Sequence, residues 1–294
     1  MLNKKRYNSS IINLRVFHNW IKNSMYSKIS KSLREKYNKK DIKILELAVG
    51  KGGDLFKWIG IEADEVVGVD IDEKSVFGKN GALHRYKRKL KQKQPGEKIP
   101  KCFFYVDDLT KPNSFKNMKE KLKNKKFNII SCQFAVHYFF ESEVALKNIV
   151  QIIDHFLETD GYFIGTTMDP NKICSLFPNE DKNKVDKDSF SIELKTDIKN
   201  SKSPYNNKYV VSLGEKNEDH YFSEKPSTEY LINKSELETK LKNTGVNLIE
   251  YEKFNDHYKK YLETGPDHKM TKGEQEFSFL NLSFIFQKIG KDKI

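Results

Sequence analysis

The residues best suited to chemistry in this sequence surround a glycine-rich turn. An apolar run at 44–49 leads into Gly-Lys-Gly-Gly-Asp at 50–54, and a second apolar run ends in Asp70. Glycines between a buried strand and a helix let the backbone approach a ligand, and an acid ending the next strand accepts hydrogen bonds from ribose hydroxyls. The spacing differs from the dinucleotide motif G-x-G-x-x-G, and the acid follows sooner. With Glu46 in the first strand, this arrangement predicts an adenosyl cofactor, S-adenosylmethionine rather than NAD.

The elements that would position these residues alternate between strand and helix. We predict strands at 42–48, 65–70, 101–107, 127–133 and 161–167, and helices at 10–37, 54–60, 73–93, 113–124 and 141–158. Thr159-Asp160-Gly161 has the pattern of a glycine C-cap that ends the last of these helices. Such alternation predicts an α/β fold with a doubly wound, mainly parallel, Rossmann-like sheet, in which ligands bind beyond the carboxyl ends of the strands.

The second half of the chain is less regular. Residues 178–218 are rich in Lys, Asn, Asp and Ser and alternate only weakly at 189–198 and 208–213. We therefore predict an inserted polar lobe or a flexible connection there. Beyond it, we predict a helix at 231–241, a strand at 246–251 and a closing antiparallel strand at 277–287.

Length and charge limit the class of protein. A chain of 294 residues holds one large α/β domain with room for an inserted or appended lobe. The net charge is +12, and basic residues crowd into 84–101, 116–126 and 1–40. Because the first of these clusters follows the predicted cofactor acid, it favours a polyanionic partner such as RNA. A lysine-rich surface that reflects genome composition is the alternative.

Other sequence features bear on the compartment. No apolar run approaches the roughly 18 residues that span a bilayer, and the first ten residues lack the apolar core of a signal peptide. The cysteines, Cys102, Cys132 and Cys174, are far apart and have neither a zinc-ligand spacing nor a disulfide pattern. We therefore expect no membrane partner, no metal and a reducing intracellular compartment.

Five segments, in the same order, carry the motifs of one known family. They are R-V-F-H-N-W-I-K at 15–22, L-E-L-A-V-G-K-G-G-D-L-F-K-W at 45–58, G-V-D-I at 68–71, S-C-Q-F-A-V-H-Y at 131–138 and G-Y-F-I-G-T-T at 161–167. They resemble the F-N-N-W-x-K element, the L-D-L-x-C-G-K-G-G-D-L-x-K-W loop, the ribose-acid strand, the S-C-Q-F-A-x-H-Y segment and the G-Y-F-I-G-T strand of the mRNA cap guanine-N7 methyltransferases. The similarity covers most of 10–170 and resumes at 221–232 and 274–288. It suggests the methyltransferase domain of a viral mRNA capping enzyme.

The resemblance implies a reaction and its partners. Such an enzyme moves a methyl group from S-adenosylmethionine to guanine N7, converting GpppN-RNA to m7GpppN-RNA and releasing S-adenosylhomocysteine. Guanine N7 has a lone pair and no proton, so we expect no catalytic base. Capping also needs triphosphatase and guanylyltransferase activities, in cis or in trans. The K-x-D-G lysine motif of a guanylyltransferase is absent from this sequence. The implied organisation is a single domain, 1–294, with a helical extension at 1–40, a cofactor-binding core at 41–170, the lobe at 178–218, and cap-binding and closing elements at 219–294.

The resemblance also implies two sets of site residues. The cofactor set is Lys22, Ala48, Gly50, Asp54, Asp70, Asp107, Asp108 and Gln133. The cap set is Asn19, Lys51, Arg85, Phe134, His137, Tyr138 and Glu229. Between the two adjacent aspartates we favour Asp108 for the adenine amino group. Simpler interpretations stay open: Asp54 and Glu229 as acids at helix N-termini, and several of the lysines and arginines as ordinary surface charge.

Three departures from the family motifs stand out. Ala48 and Val49 occupy positions where the family has Gly and Cys, and Met-Asp-Pro at 168–170 replaces P-N-S. Asn281 aligns with a tyrosine that packs on the cap base, and an amide cannot supply that stacking. Two alternatives therefore remain: an S-adenosylmethionine-dependent methyltransferase with another substrate, and a non-catalytic RNA-binding relative.

Overall fold

The computed structural model describes residues 11–178, 182–198, 200–213 and 226–290. The basic residues 1–10, parts of the predicted lobe and the motif residues 221–225 lie outside these ranges. A seven-stranded sheet forms the centre of the fold, in the order β10-β11-β5-β4-β1-β2-β3. Its strands are β1 (Lys43–Leu47), β2 (Glu65–Asp70), β3 (Lys101–Val106), β4 (Phe127–Gln133), β5 (Leu157–Met168), β10 (Val246–Lys253) and β11 (Asn281–Lys288).

Helices cover both faces of this sheet. In chain order they are α1 (Ile12–Tyr37), α2 (Leu55–Gly60), α3 (Glu73–Phe77), α4 (Ala82–Lys91), α5 (Ser114–Leu122), α6 (Glu143–Phe156), α7 (Pro170–Ser175), α8 (Lys234–Lys242), α9 (Phe254–Glu263) and α10 (Lys272–Ser278). Helix α1 packs with α2, α9 and α10 on one face, while α5, α6 and α8 pack together on the other. The predicted doubly wound, mainly parallel α/β fold is confirmed. None of the described helices has the length and apolar character that crossing a membrane requires.

The sheet brings the glycine turn and the motif that follows β4 to one edge. Strand β1 pairs in parallel with β2 on one side and with β4 on the other. The chain leaves β1 and β4 toward different sides of the sheet, which creates the crevice where ligands of open α/β sheets bind. The residues that follow β1, β2, β3, β4 and β5 therefore lie at the same edge of the sheet.

Two helix predictions were wrong. The helix predicted at 73–93 is two helices, because the chain leaves α3 at Gly78, whose φ and ψ are −64° and 169°. At Gly81 a Cβ would lie 2.6 Å from the Ser75 carbonyl oxygen, so the close return of the chain requires glycine. The C-cap predicted at 159–161 is also wrong, because α6 ends at Phe156 and these residues extend β5.

The last strand differs from the prediction in extent and in place. Phe277 is still part of α10, and β11 begins at Asn281. Strand β11 runs antiparallel to β5, as predicted, and also pairs antiparallel with β10. It therefore lies inside the sheet, and β10 forms the edge.

The polar segment contributes three strands to a second, antiparallel sheet, and a fourth strand follows it in the chain. Its strands are β6 (Lys184–Asp186), β7 (Phe190–Leu194), β8 (Lys208–Leu213) and β9 (Ser227–Tyr230). The weak alternation is explained by β7 and β8, whose residues Phe190, Ile192, Tyr209 and Val211 are buried. The ring of Phe190 packs 5.4 Å from that of Phe277, so the small sheet continues the core of the main domain.

The backbone at Ala48 leads to a prediction about stability. Ala48 has φ +56°, a left-handed conformation that costs an L-residue about 1–2 kcal/mol. Ala48→Gly removes this cost but adds about 0.5–1 kcal/mol of backbone entropy, so we expect a net gain of up to roughly 1 kcal/mol in the free energy of unfolding. Ala145→Gly, inside α6, is the control and should lose about 1 kcal/mol. Equal losses in denaturant unfolding of the two variants would contradict this account.

Candidate functional site

Asp70, at the end of β2, fastens the glycine turn. Its Oδ2 accepts a hydrogen bond of 2.7 Å from the Gly50 backbone N–H, and its Oδ1 accepts one of 2.9 Å from Asp72 N–H. Gly50 has φ +51°, and a Cβ on it would meet no atom within 4 Å, so open space lies beside the turn. Burial raises the pKa of Asp70 although these backbone bonds oppose the rise. The carboxylate thus faces the turn that follows β1 and retains lone pairs for a further partner, and its role toward a ribose stays a prediction.

Asp54 is the centre of a buried ion-pair cluster. Its Oδ1 lies 2.6 Å from Lys22 Nζ and 2.9 Å from Lys57 Nζ. Burial alone raises the pKa of Asp54, but the two ammonium groups outweigh it and lower the pKa to about 2. Asp54 does occupy the N-cap position of α2, yet its side chain makes no cap hydrogen bond. The helix-cap interpretation of this carboxylate is therefore wrong.

Lys57 was missed by the sequence analysis. It lies in the apolar stretch at 55–58, is 6% exposed, and also donates a 2.7 Å hydrogen bond to Asn19 Oδ1. It therefore connects a predicted cofactor residue, Asp54, with a predicted cap residue, Asn19. A lysine three positions after Asp54 in an otherwise apolar helix start was the available sequence evidence, because a buried ammonium requires a partner.

Glu46 belongs to a second buried network beside this cluster. The Tyr26 hydroxyl donates to Glu46 Oε2 at 2.5 Å, and the Ser131 hydroxyl donates to Oε1 at 3.0 Å. Burial raises the pKa of Glu46 to about 7. The network continues through Gln133, whose Nε2 donates to Ser131 Oγ at 3.1 Å and whose Oε1 accepts from Thr166 at 3.1 Å. Both ends of the Gln133 amide are thus bonded to protein side chains.

The two adjacent aspartates beyond β3 are near the end of β2. The Asp107 backbone N–H donates to the Asp70 carbonyl at 3.0 Å, and its carboxylate lies 3.4 Å from Lys121 Nζ. Asp108 Oδ1 accepts from the backbone N–H and the hydroxyl of Thr110, at 3.0 and 2.7 Å. Both carboxylates therefore have protein partners, and the preference for Asp108 stays a prediction.

A pocket lies beyond the carboxyl ends of β4 and β5. We call it the base pocket; it is lined by His18, Phe134, His137, Thr167, Met168, Glu229, Phe277 and Asn281. Phe134 has φ +55°, a conformation that a bulky residue rarely adopts. Its N–H donates to the Thr166 carbonyl at 2.9 Å, which ties the strained residue to β5. Backbone strain of this kind is concentrated at functional sites.

Glu229 is the buried carboxylate of the base pocket. It lies on β9 and is 3% exposed, and α8 begins five residues later with Asn233 as its N-cap. Its interpretation as a helix N-terminal acid is therefore wrong. Burial raises the pKa of Glu229 to about 7, against the hydrogen bond of 2.9 Å that the Tyr209 hydroxyl donates to Oε2. The sequence analysis did not single out Tyr209.

His137 lies beside this carboxylate but carries no charge at neutral pH. Its Nε2 is 3.7 Å from Glu229 Oε2, within the usual limit for an ion pair. Burial lowers the pKa of His137 to about 3, however, so the ring is neutral and the contact is not ionic. Tyr138 is half-exposed next to it, and its hydroxyl lies 3.1 Å from Ser227 Oγ.

The base pocket concentrates polar atoms that have no hydrogen-bond partner. Within the described residues, five buried side-chain nitrogen or oxygen atoms are unpartnered, and four of them are on lining residues: His18 Nδ1, His137 Nδ1, His137 Nε2 and Thr167 Oγ1. Leaving such atoms unpaired costs about 1–3 kcal/mol each. Their concentration in one pocket is the pattern expected where a polar ligand supplies the partners.

Other predicted cap residues lie outside the base pocket. Lys51 is exposed on the glycine turn, and Arg85 Nη1 donates to the Gly52 carbonyl at 3.4 Å. Asn281 does line the pocket, but its Nδ2 donates to the carbonyls of Phe277 and Ser278, at 3.3 and 3.1 Å. In the described ranges, His, Cys, Asp and Glu side chains form no group of three or more suited to a metal ion.

Comparison with known proteins identifies relatives by sequence and by fold. A sequence model of the mRNA (guanine-N(7))-methyltransferase domain matches residues 1–288. The mRNA cap guanine-N(7) methyltransferase of Caenorhabditis elegans is 33% identical over 172 residues, covering 57% of this chain and 42% of that protein. The Drosophila melanogaster enzyme of the same name is 27% identical over 270 residues, covering 89% and 59%.

A viral protein and a bacterial structure complete the comparison. A probable mRNA-capping enzyme of Acanthamoeba polyphaga mimivirus is 30% identical over 190 residues, covering 59% of this chain and 15% of that protein. The chain thus spans less than two thirds of each of these three relatives. An S-adenosylmethionine-dependent methyltransferase of Clostridium acetobutylicum has a TM-score of 0.53 at 16% identity, covering 90% of this chain and 92% of that one. This likeness shows the fold alone.

The raised pKa of Glu229 predicts how stability changes with pH. A carboxyl whose pKa rises from 4.5 to about 7 on folding stabilises the protein below pH 4.5, and this contribution is lost as the pH rises through 7. The side chain in Glu229→Gln cannot ionise. As the pH rises from 5 to 8, the free energy of unfolding of the wild type should therefore fall relative to that of Glu229→Gln, by up to about 3 kcal/mol. Nearby His137 is neutral throughout this range.

Tyr209→Phe provides a matched variant for the same measurement. It removes the hydrogen bond that lowers the pKa of Glu229. In this variant the Glu229 carboxyl should therefore titrate at a higher pH than in the wild type. Denaturant unfolding of the three proteins at acidic and at basic pH checks both expectations. A difference between wild type and Glu229→Gln that does not vary with pH would show that Glu229 is not buried as a weak acid.

Proposed function

Because the chain belongs to the mRNA (guanine-N(7))-methyltransferase family, we propose that it transfers the methyl group of S-adenosylmethionine to guanine N7 of a GpppN cap. One observation supports this proposal at individual residues. The base pocket contains a buried carboxylate, Glu229, and unpartnered polar atoms of His18, His137 and Thr167, which are groups able to hydrogen-bond to a purine. The pocket and the glycine turn both lie at the carboxyl edge of the sheet.

The residues at the glycine turn fit S-adenosylmethionine. Lys22 and Asp54 are a buried pair of opposite charges, complementary to the carboxylate and ammonium groups of the methionine moiety. Asp70 retains acceptor capacity for ribose hydroxyls, and the open space beside Gly50 allows the close approach of an adenosyl group. The bound cofactor would supply a methyl group that its sulfonium already activates. We propose further cofactor contacts at Ala48, Asp107, Asp108 and Gln133.

Glu229 would recognise the base and favour the transition state. Its carboxylate can accept hydrogen bonds from guanine N1–H and N2–H together, and the unpartnered nitrogens of His137 can bond to the same base. Methylation of N7 moves positive charge onto the ring, and a preorganised anion stabilises that charge more than it stabilises neutral guanine. Since N7 carries no proton, the protein needs only to align N7, methyl group and sulfur, which contributes up to roughly 7–11 kcal/mol.

The basic surface beside the glycine turn suits the rest of the RNA. Lys51 and Arg85 would meet the cap phosphates, and α4 carries further basic residues for the chain beyond. We propose that the extension 1–40, the lobe 178–218 and the closing elements 219–294 complete the site around the core 41–170. The mimivirus relative, a probable mRNA-capping enzyme, supports a viral capping enzyme. We propose that it acts in the cytoplasm, in preference to the nucleus, with triphosphatase and guanylyltransferase activities in cis or in trans.

One assay tests the proposal against its alternatives. Labelled S-adenosylmethionine is offered with GpppA-capped RNA, with uncapped RNA and with free nucleobases. Methyl transfer to the capped RNA alone, at guanine N7, is the expected result. Transfer to a small molecule alone would indicate a different methyltransferase, and cofactor binding without transfer would indicate a non-catalytic relative.

Asp70→Ala should weaken binding of S-adenosylmethionine by at least about 1.5–3 kcal/mol, the range for hydrogen bonds to a charged group. The ribose hydroxyls lose their acceptor, and the turn at Gly50 loses its fastening. Asp72→Ala is the control, because Asp72 is exposed and only caps α3. Calorimetry of the folded variants should show weaker binding for Asp70→Ala alone. Unchanged affinity in that variant would refute the role of Asp70.

Glu229→Gln should lower kcat by a factor on the order of 10²–10³, because it replaces the charge that favours the transition state. The pH profile gives a second readout. In the wild type, kcat/KM should fall below about pH 7 as Glu229 becomes protonated, and this fall should be absent in the glutamine variant. The fall reports base recognition, since no proton leaves N7. Wild-type turnover by folded Glu229→Gln on capped RNA would refute the role of Glu229.

A further inference from the structure

Phe56, at the start of α2, is a large apolar side chain that faces solvent beside the glycine turn. It is 65% exposed, whereas its neighbours Leu55, Lys57 and Trp58 are buried. It occupies the variable position of L-x-K-W in the family motif, so the resemblance assigns it no role. Single exposed apolar side chains are common on protein surfaces, and the surroundings of the ring therefore decide whether it has a task.

Basic side chains of α4 flank the Phe56 ring. Lys89 Nζ lies 5.9 Å from the ring centroid and is held by an ion pair of 2.6 Å with Glu97 Oε1. Arg85, one helical turn earlier, donates to the Gly52 carbonyl at 3.4 Å, so this face of α4 lies along the glycine turn. The sequence of α4, ALHRYKRKLK, contains Arg and Lys but no acidic residue. The exposed ring thus lies in a positively charged surface.

The order of the strands gives the direction in which RNA would leave the site. The base pocket lies beyond β4 and β5, the glycine turn follows β1, and α4 comes after β2, next along the sheet. A cap with its base in the pocket and its phosphates at Lys51 and Arg85 would direct the following nucleotides toward Phe56. A Cβ on Gly53 would meet none of the described atoms within 4 Å, so the backbone leaves room there. Asp54, buried between two lysines, does not oppose an anion.

We propose that Phe56, Arg88 and Lys89 bind the RNA next to the cap, with an unpaired base stacked on the Phe56 ring and phosphates beside the two basic side chains. Arg88 is exposed and lies three positions from Arg85, on the same face of α4. The inference rests on the proposed function for the cap and adds a site for the RNA beyond it. Single-stranded RNA fits this surface because every base has a π face that can stack on an aromatic ring, while cations neutralise its backbone. Such contacts tolerate any sequence, as a site for many transcripts requires.

Phe56→Ala tests the stacking without endangering the fold, because the ring is exposed and alanine favours a helix. The affinity for a short uncapped oligouridylate, measured by fluorescence anisotropy, should fall roughly tenfold, as for the loss of one stacked base. The KM for GpppA-capped RNA should rise by a similar factor. The GpppA dinucleotide ends before this surface and should lose much less affinity. Phe56→Trp should retain the RNA affinity, since indole also stacks on bases.

The chain offers a matched control in Phe103. It is 40% exposed, and Lys125 Nζ lies 4.7 Å from its ring centroid, so it too is an exposed ring beside a lysine. The next residue of β3, Phe104, packs against Tyr86 of α4 at 6.2 Å. Because successive side chains of a strand alternate between faces, Phe103 points to the other side of the sheet. Phe103→Ala should therefore leave the affinity for oligouridylate unchanged.

The salt dependence of binding separates stacking from charge. Arg88→Gln removes one phosphate contact, so the slope of log K against log salt concentration should become less steep by about 0.7. Phe56→Ala removes no charge and should lower the affinity with the slope unchanged. A slope change in Phe56→Ala as large as that in Arg88→Gln would overturn the stacking role.

The outcomes separate this inference from the function beneath it. If folded Phe56→Ala binds oligouridylate as tightly as the wild type, or if Phe103→Ala loses as much affinity, the inference is wrong. An exposed ring that serves a protein partner would give the first of these results. Absence of oligouridylate binding by the wild type would also overturn the inference. A wild type that binds this RNA but methylates no capped RNA would instead refute the proposed function.

Discussion

The ion-pair cluster around Asp54 is the interaction on which the geometry of the site depends. A buried carboxylate between two lysines contributes little net stability, but removing one partner leaves an uncompensated charge, so the three groups must stay together. Lys22 belongs to α1, whereas Asp54 and Lys57 belong to the start of α2. The cluster therefore fixes α1 against the glycine turn, and α1 in turn brings His18 and Asn19 to the carboxyl edge of the sheet.

Three buried carboxyl groups at this edge of the sheet differ in their pKa values. Asp54 remains ionised because two ammonium groups contact it. Burial raises the pKa values of Glu46 and Glu229 to about 7, and the charge of Asp54 contributes to the rise at Glu46. Glu46 is enclosed by Tyr26 and Ser131, so its carboxyl is structural. Glu229 faces a pocket with unpartnered polar atoms, where a ligand that donates hydrogen bonds would favour the ionised form.

The fold followed from the sequence more fully than the details of the site did. The positions of the first five strands and the parallel core came from the alternation of apolar runs, and the glycine turn located the crevice, whereas the strand order came from the structure. The prediction of one helix at 73–93 was wrong because the chain returns at Gly81 to contact the backbone of Ser75 and Val76. The periodicity of apolar residues contains no information about such a contact. Glu229 was ambiguous for a similar reason, since helix start and strand end look alike around residues 227–233.

The sequence by itself determined the fold class, the family and the position of the glycine turn, because apolar periodicity and glycine-rich motifs are local properties of the chain. Only the tertiary structure decided which side chains share a pocket. His18 meets Ser278 across 260 positions of sequence, and Glu229 acquires its shifted pKa from burial on β9 beside Tyr209. Distant contacts and desolvation arise only when the chain is packed, which is why local patterns identified the motifs but not the partners of their side chains.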